Sequence, residues 1–435
     1  MKRTIIVLLS ALLLGLTQAQ TTIEFWYAFT DAPRQGWIND RIDEFNAELA
    51  AQNSPYRVEG SNKGSYRETL EAAVLATRQG TPPHLVQLFE VGSQLAIDTG
   101  IFRAIDGFGG GIDTSDYIEP VLNYYTIDGR VYSIPFNSSS PILYGNETLL
   151  ERAGLSTERL PETFGELLAA CEQAEAAGVT EACITFPLHT WFFEQWVAQQ
   201  GEPLVNNGNG RDARATEVLL TSDAALRVGQ FMKDLADGGH YSYTGRFEDW
   251  AGSEAIFGNQ QSLYFITSTA DAGNIIRGAA ENGFDVATGL LPIPDGVTRN
   301  GVVIGGASVW MVDGPPEVEL EVARDFVLYM TNTENMVSWH KLTGYYPVRV
   351  SSVEALEAEG WFDENPEFTI AFTQLTETLT NQATGGALLG TFGDTRTIVE
   401  EALQKIYQGS ATVEEAMDEA KRQADAVLAE YNANF

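Results

Sequence analysis

Residues that bind transition metals are scarce in this sequence. The 435 residues include two cysteines and four histidines. Zinc sites usually take three or four cysteine, histidine or carboxylate ligands, with the cysteines and histidines at short fixed spacings that are missing here. We therefore expect no metal site and no cofactor. The histidines are scattered along the chain, at His84, His189, His240 and His340.

Basic residues are also scarce, and acidic residues outnumber them. Lysine and arginine total 26 against 60 aspartates and glutamates, which gives a formal net charge of −34 at pH 7. A surface this acidic repels nucleic acid and anionic membranes, so we expect neither as a partner. The charge is still compatible with a small anionic ligand, because a local group of donors can outweigh distant charges that salt screens.

Long apolar runs are confined to the N-terminus. Lys2 and Arg3 precede an almost wholly apolar stretch, residues 5–16, and the small residues Thr17 and Ala19 form an A-x-A-like cleavage site. This pattern predicts a signal peptide that is removed after Ala19. A membrane-spanning helix is the alternative, but it needs about 20 apolar residues and this run is shorter. We expect a soluble periplasmic protein without a lipid anchor, because no cysteine follows the cleavage site.

The two cysteines, Cys171 and Cys183, are candidates for a covalent cross-link. Cys171 lies in a predicted helix and Cys183 begins a predicted strand, which could bring them side by side. An oxidising compartment permits a disulfide between them. The alternative is two unpaired buried thiols, and the sequence leaves both readings open.

Strands and helices are predicted to alternate along the chain. The first predicted helix has apolar residues at Ile42, Phe45 and Leu49, a spacing that puts them on one buried face. Such alternation predicts an α/β fold in which helices cover both faces of a mainly parallel sheet. Ligands then bind beyond the C-terminal ends of the strands, where Glu90 is expected. The predicted strands in this region are residues 22–29, 56–59 and 85–89, with a second helix at 65–79.

The chain is too long for one ordinary hydrophobic core. Removal of 19 residues from 435 would leave 416, which suits two lobes. Residues 128–146 and the segment from Gly289 combine strand and turn residues and could cross between the lobes. We therefore predict a hinge-linked protein with a ligand cleft between two lobes. The predicted bounds are residues 20–134 plus 292–338 for the first lobe and residues 135–291 plus 339–435 for the second.

Six segments, in the same order along the chain, carry a family resemblance. They are Lys63-Gly64-Ser65-Tyr66, Leu88-Phe89-Glu90-Val91-Gly92, Pro135-Phe136-Asn137-Ser138-Ser139-Ser140-Pro141, Val303-Ile304-Gly305-Gly306-Ala307-Ser308, Thr343-Gly344-Tyr345-Tyr346-Pro347 and Arg396. In these segments the sequence resembles the extracellular solute-binding proteins of ABC importers that take up carbohydrates, and within that family the members that bind glycerol-3-phosphate. The resemblance covers nearly all of the mature chain. It implies a two-lobed periplasmic-binding-protein fold of the maltose-binding type (type II), a monomeric state, a small-molecule ligand and the permease subunits of an ABC importer as partners.

The resemblance also implies which residues contact the ligand. Trp191 would pack against the glycerol or its substituent. One further hydroxyl would come from Ser268 or Thr269, which the resemblance does not separate. The other implied contacts are Tyr66, Glu90, Ser139, Gly306, Tyr345 and Arg396.

The chemistry of Glu90 and Arg396 is compatible with these roles. Arg396 lies at the start of a predicted helix, and both its guanidinium fork and the helix N-terminus favour a phosphate. Glu90 can accept hydrogen bonds from the vicinal hydroxyls of a polyol. Because a carboxylate repels phosphate, we expect the ligand to run from Glu90 at its glycerol end to Arg396 at its phosphate. Without the resemblance, both residues would be interpreted as solvated surface charges.

These observations predict a receptor that captures glycerol-3-phosphate, or a glycerophosphodiester such as glycerophosphocholine, and delivers it to an importer. We do not expect an enzyme, because the phosphate-loop, nucleophile-elbow and His-Glu-x-x-His motifs are missing. A neutral oligosaccharide is the alternative ligand. Two alternatives belong to other classes: a secreted glycerophosphodiester hydrolase, whose carboxylate pair a sequence would not reveal, and a surface adhesin without small-molecule affinity.

Overall fold

The computed structural model describes residues 20–107, 111–180 and 182–435. The predicted signal peptide, residues 1–19, lies outside this described part of the chain. Among the described residues, the helices are all too short or too polar to cross a membrane.

The described residues form three β-sheets. The two larger sheets are the centres of two lobes, and the third is a two-stranded ribbon. The strands, in chain order, are Thr21–Tyr27 (β1), Tyr56–Asn62 (β2), Leu85–Phe89 (β3), Phe102–Arg103 (β4), Thr126–Ile127 (β5), Arg130–Val131 (β6), Ser133–Ser139 (β7), Pro141–Asn146 (β8), Ile184–Thr185 (β9), Tyr264–Ser268 (β10), Val286–Gly289 (β11) and Gly305–Val312 (β12).

Helices surround both sheets. Short 3₁₀ turns occur at Glu90–Gly92, Ile105–Gly107, Thr269–Asp271 and Pro366–Phe368. The α-helices are Ala32–Ala51 (α1), Tyr66–Arg78 (α2), Ser93–Thr99 (α3), Glu119–Tyr124 (α4), Glu147–Ala153 (α5), Phe164–Ala176 (α6), Thr190–Gln199 (α7), Asn206–Asn209 (α8), Asp223–Asp237 (α9), Trp250–Gly258 (α10), Ala272–Glu281 (α11), Glu317–Met330 (α12), Thr333–Thr343 (α13), Val350–Ala358 (α14), Trp361–Glu364 (α15), Thr369–Thr376 (α16), Phe392–Tyr407 (α17) and Val413–Asn432 (α18).

Both large sheets are mixed, whereas the sequence predicted mainly parallel ones. In the first sheet the order is β2-β1-β3-β12-β4, and β7 also pairs with β12. Strands β1, β2 and β3 are parallel, but β12 runs antiparallel to each of its neighbours. In the second sheet, of order β11-β8-β10-β9, β8 is antiparallel to both neighbours. The reversal arises because β8 and β12 are each reached by a direct crossing from the other sheet and not through a helical crossover.

Two large hydrophobic clusters form the cores of the lobes. In the first, Phe136 of β7 stacks on Trp339 of α13, with ring centroids 5.1 Å apart, and Trp37 of α1 packs on the same indole at 4.8 Å. In the second, α7, α9, α17 and α18 pack together beside the second sheet. The predicted two-lobed α/β architecture is thus confirmed, while the residue bounds of the lobes stay a prediction.

Cys171 and Cys183 form a disulfide, with their Cα atoms 5.1 Å apart. Both residues are fully buried. The bond joins α6 to the segment that leads into β9, so it cross-links elements of the second lobe. Of the two readings that the sequence left open, the structure supports the disulfide.

Candidate functional site

A cavity of about 450 Å³ lies between the two lobes. Its walls come from the ends of β3, β7 and β10, the start of β12, and the first turns of α1, α2, α7 and α17. The structure brings eight of the nine predicted contact residues together around this cavity: Tyr66, Glu90, Ser139, Trp191, Ser268, Gly306, Tyr345 and Arg396. A cavity of this size matches the volume that small-molecule sites usually have.

Thr269 is the predicted contact that does not line the cavity. It is buried, and its Oγ1 accepts a hydrogen bond from the backbone N–H of Ser140 at 3.3 Å. The neighbouring Ser268 faces the cavity at the end of β10. Of these two hydroxyls, Ser268 is therefore the one positioned to reach a ligand.

Arg396 is paired with two buried carboxylates. Its Nε and Nη2 atoms donate to the two oxygens of Glu194, at 2.7 and 2.8 Å. Its Nη2 also lies 3.4 Å from Oε1 of Glu90. The expectation that Glu90 and Arg396 lie at opposite ends of a ligand is therefore wrong, because β3 and α17 bring these two side chains into direct contact.

Burial and charge set the protonation of Glu90 and Arg396. Burial raises the pKa of Glu90 to about 7; Arg396 opposes the shift, and Glu194 adds to it. Burial alone would lower the pKa of Arg396, but Glu194 and Glu90 raise it well above its usual range, so the guanidinium stays charged. Arg396 is therefore a cation paired with both carboxylates. Glu90 is paired less tightly than Glu194, and it takes up a proton near neutral pH.

Gly306 closes the wall behind Glu90. Its N–H donates to Oε2 of Glu90 at 3.1 Å, and its φ of 110° lies in the region that favours glycine. A Cβ at this position would lie 1.9 Å from the carbonyl oxygen of Asn137 on β7. Only glycine therefore fits where β12 passes this close to β7.

Hydroxyl groups also converge on the cavity. Ser65 caps the N-terminus of α2, which places Tyr66 at the cavity wall. The hydroxyl of Tyr66 accepts a hydrogen bond from Nδ2 of Asn137 at 2.9 Å. Ser139 and Tyr345 line the same cavity, so several neutral donors can reach one ligand.

Arg34 is a second cation at the cavity, and the sequence analysis missed it. Its guanidinium lies over the ring of Tyr345, 5.3 Å from the centroid. Its Nη2 donates to the carbonyl oxygen of Ala270 at 2.8 Å and to Asp271 at 2.7 Å. Because Arg34 belongs to α1 and Asp271 follows β10, this ion pair joins the two lobes next to the cavity.

Aromatic rings form the third side of the cavity. The rings of Trp191 and Trp250 lie 6.1 Å apart, and His189 meets Trp250 edge-on at 5.5 Å. Burial, and then the nearby Arg396, lower the pKa of His189 to about 4, so its ring is neutral. Nε1 of Trp191 is buried and donates to none of the described residues. This wall suits an apolar or flat part of a ligand.

His189 also belongs to a small acidic group. One ligand atom from each of His189, Glu248 and Glu400 lies within 4.8 Å of the others. However, Nδ1 of His189 accepts from the N–H of Trp191 at 3.3 Å, and Glu400 accepts from the N–H of Thr190 at 3.1 Å. These two potential metal ligands are thus engaged in fixing the start of α7.

A second ionic contact joins the lobes outside the cavity. Asp98 of α3 accepts two hydrogen bonds from Arg214, at 2.7 and 2.8 Å, and one from the hydroxyl of Tyr431 at 2.7 Å. The Asp98 side chain is only 4% exposed. Burial would raise its pKa, but the donors from Arg214, Tyr431 and Gln94 lower it on balance.

Glu194 is the other residue that sequence reasoning missed. It lies in α7, whose segment TWFFEQWVAQ is buried on all sides. A single carboxylate in such an apolar helix is the signal that could have revealed it, because a buried charge requires a partner.

Comparison with known proteins places these features in a family. The model of the bacterial extracellular solute-binding protein family matches residues 40–370. The chain is 29% identical, over 421 residues, to the sn-glycerol-3-phosphate-binding periplasmic protein UgpB of Rhizobium meliloti (strain 1021), covering 95% of each chain. It is 27% identical to the protein of the same name from Salmonella typhi, covering 97% of this chain and 95% of the relative.

Solved structures share the fold. UgpB from Mycobacterium tuberculosis, in complex with glycerophosphocholine, superimposes with a TM-score of 0.76 at 21% identity, covering 95% of this chain and 99% of that one. The cyclic alpha-maltosyl-1,6-maltose binding protein from Arthrobacter globiformis gives 0.76 at 20% identity, covering 94% and 99%. The family resemblance found in the sequence is confirmed, and this chain belongs to the bacterial extracellular solute-binding proteins.

Proposed function

We propose that this protein is the periplasmic receptor of an ABC importer, and that it captures sn-glycerol-3-phosphate or a glycerophosphodiester between its lobes. After removal of the signal peptide it acts as a monomer, closes on the ligand by hinge bending and delivers it to the permease subunits. It binds the ligand without transforming it. The observation that carries the proposal is a cavity between the lobes that combines a Glu90–Arg396 pair with a cluster of hydroxyl donors.

The relatives support this choice of ligand. The Rhizobium and Salmonella relatives carry names that specify glycerol-3-phosphate, and the solved Mycobacterium structure holds glycerophosphocholine. Coverage of nearly the whole chain in each case means that both lobes, and not one domain, are shared.

The carboxylates around Arg396 favour the glycerol end of the ligand at this position. A vicinal diol both donates and accepts hydrogen bonds, and Glu90 supplies an acceptor beside a donor. Nη1 of Arg396 donates to none of the described side chains around it, so it is available to a hydroxyl oxygen. A phosphate dianion here would face Glu90 and Glu194 at close range, and Arg396 alone does not neutralise all three groups.

The phosphate is accordingly proposed at the hydroxyl cluster. Tyr66, Ser139, Ser268 and Tyr345 can donate to its oxygens. Arg34 lies over the Tyr345 ring and pairs with a single cavity-lining carboxylate, Asp271. This orientation reverses the role that the sequence suggested for Arg396. The aromatic wall at Trp191 then packs against the carbon skeleton or a diester substituent.

The experiment that tests the function is calorimetric titration of refolded, ligand-free protein with glycerol-3-phosphate, glycerophosphocholine and maltose. Binding of either phosphate compound without maltose binding is expected. Binding of maltose alone would support the neutral-oligosaccharide alternative. Recovery of the ligand unchanged after incubation is expected, whereas release of choline and glycerol-3-phosphate from glycerophosphocholine would indicate a hydrolase.

The orientation has its own test, with an analogue of glycerol-3-phosphate that lacks the central hydroxyl. The parent protein should bind glycerol-3-phosphate more tightly than this analogue. Glu90→Gln should reduce that preference, because the amide replaces an acceptor of the diol. An unchanged preference in Glu90→Gln would place the diol elsewhere.

A further inference from the structure

A second cavity, of about 390 Å³, lies beside the ligand cavity. Three residues border both cavities: Arg67 at the start of α2, Phe89 at the end of β3 and Gly393 at the start of α17. The two spaces are therefore neighbours across one short junction. We call the second space the side cavity.

The walls of the side cavity are mostly apolar and come from both lobes. One wall is formed by α2 and α3, and the other by residues 390–394. Leu75 is 57% exposed and Leu95 is 37% exposed, which is unusual for side chains of this size. The main apolar side chains of the lining are Leu70, Val74, Leu75, Val91, Leu95 and Phe392.

Arg67 occupies the junction without being fixed there. Its guanidinium passes over Gly393, where a Cβ atom would lie 2.0 Å from the Arg67 Nη2 atom. Arg67 is exposed, and it forms no hydrogen bond or ion pair within the described part of the chain. The side chain can therefore rotate aside without breaking an interaction, and its charge stays near the mouth of both cavities.

The junction lies next to Glu90 and Arg396. Glu90 directly follows Phe89, and Arg396 lies one helical turn after Gly393. A group attached to the terminal hydroxyl of a glycerol bound by Glu90 and Arg396 would leave the ligand cavity through this junction. Glu71, Arg78 and Asp394 also border the side cavity, but its apolar side chains offer a hydrocarbon a gain from burial.

We propose that the side cavity is a subsite for a hydrocarbon chain, so that the protein also binds glycerol phosphates that carry one acyl or alkyl chain on the terminal hydroxyl. The inference rests on the proposed function, since the phosphate and the glycerol occupy the ligand cavity as described above. The chain passes Arg67 and packs on Leu70, Val74 and Leu95.

The test compares glycerol-3-phosphate with a series of its 1-alkyl ethers of increasing chain length, kept short enough to stay monomeric. Ethers are used because they cannot be hydrolysed. Calorimetry should show binding that tightens by up to about fourfold for each buried methylene, until the side cavity is filled. A series without any dependence on chain length would overturn the subsite.

A double variant, Leu75→Asp with Leu95→Asp, locates the effect. Both side chains are exposed enough that folding should be unaffected, and glycerol-3-phosphate should bind as in the parent protein. The gain with chain length should be lost. The matched control is Val318→Asp on α12, a residue that is 54% exposed and lines neither cavity.

The outcomes separate the two proposals. Equal chain-length dependence in the double variant and in Val318→Asp would mean that the chain binds elsewhere, which refutes the subsite. Binding of glycerol-3-phosphate with no gain from the chain would refute the subsite and leave the proposed function standing. Failure of the parent protein to bind glycerol-3-phosphate at all would refute the proposed function and the subsite with it.

Discussion

The contact between Asp98 and the second lobe allows a test of how lobe closure contributes to affinity. Asp98 of α3 binds Arg214 and Tyr431, and it lies outside the cavity. We predict that Asp98→Asn weakens ligand binding although it touches no ligand. The reason is that a receptor must close to hold its ligand, and anything that stabilises the closed form tightens the apparent affinity.

The magnitude follows from the hydrogen bonds. The amide side chain introduced by Asp98→Asn would keep one oxygen acceptor but lose the charge that makes the paired bonds from Arg214 strong. Arg214 is 34% exposed, so solvent screens part of the interaction. A loss of about 1–2 kcal/mol in the closed form is reasonable for such a pair, which corresponds to roughly a 5- to 30-fold rise in Kd.

The assay combines calorimetry with small-angle X-ray scattering. Asp98→Asn should bind more weakly and should need more ligand to reach the compact form. Asp237→Asn is the matched control, because Asp237 pairs with Lys233 inside one helix of the second lobe. If Asp98→Asn kept the affinity and the scattering profile of the parent, the contact would have no part in closure.

Three further predictions concern the cavity and the second lobe. Burial raises the pKa of Glu90 to about 7, so ionising Glu90 destabilises the ligand-free protein as the pH rises from about 4.5 to 7. Glu90→Gln should therefore raise the Tm, relative to the parent, more at pH 8 than at pH 5. Replacement of Cys171 and Cys183 by alanine should lower the free energy of unfolding by about 2–4 kcal/mol, as measured in denaturant, and reduction of the parent should have a similar effect. Gly305→Ala would place a Cβ atom 2.5 Å from the indole of Trp191, so it should displace the ring and weaken binding in calorimetry; equal affinity would mean that the indole position is unimportant.

Much of the fold could be predicted from local patterns. The strand predicted at residues 22–29 is observed at Thr21–Tyr27, and the strand at 85–89 has the same bounds in the structure. The predicted buried face of α1 contains Ile42 and Phe45, both in the first core. These elements depend on residue spacing over one segment, which a sequence displays directly.

The direction of pairing and the arrangement of the site could not be predicted in the same way. Glu90 and Arg396 lie 306 residues apart in sequence, and their contact exists only because the two lobes close on each other. Glu194 and Arg34 were missed because no motif marks them: one is hidden in an apolar helix and the other near a helix start. Charge pairing across a cleft is set by tertiary packing, and local sequence does not encode it.

Strand β12 has a consequence for how the chain folds. Residues 305–312 lie in the middle of the first sheet, between β3 and β7, although the rest of that sheet comes from the first 139 residues. The first lobe therefore cannot complete its sheet until most of the polypeptide has been synthesised, and closing so long a loop slows folding. An unfolded chain can pass through a secretion channel, so late completion of this sheet would keep the polypeptide competent for export. The same order of strands means that the first sheet cannot be produced from one short continuous fragment of the chain.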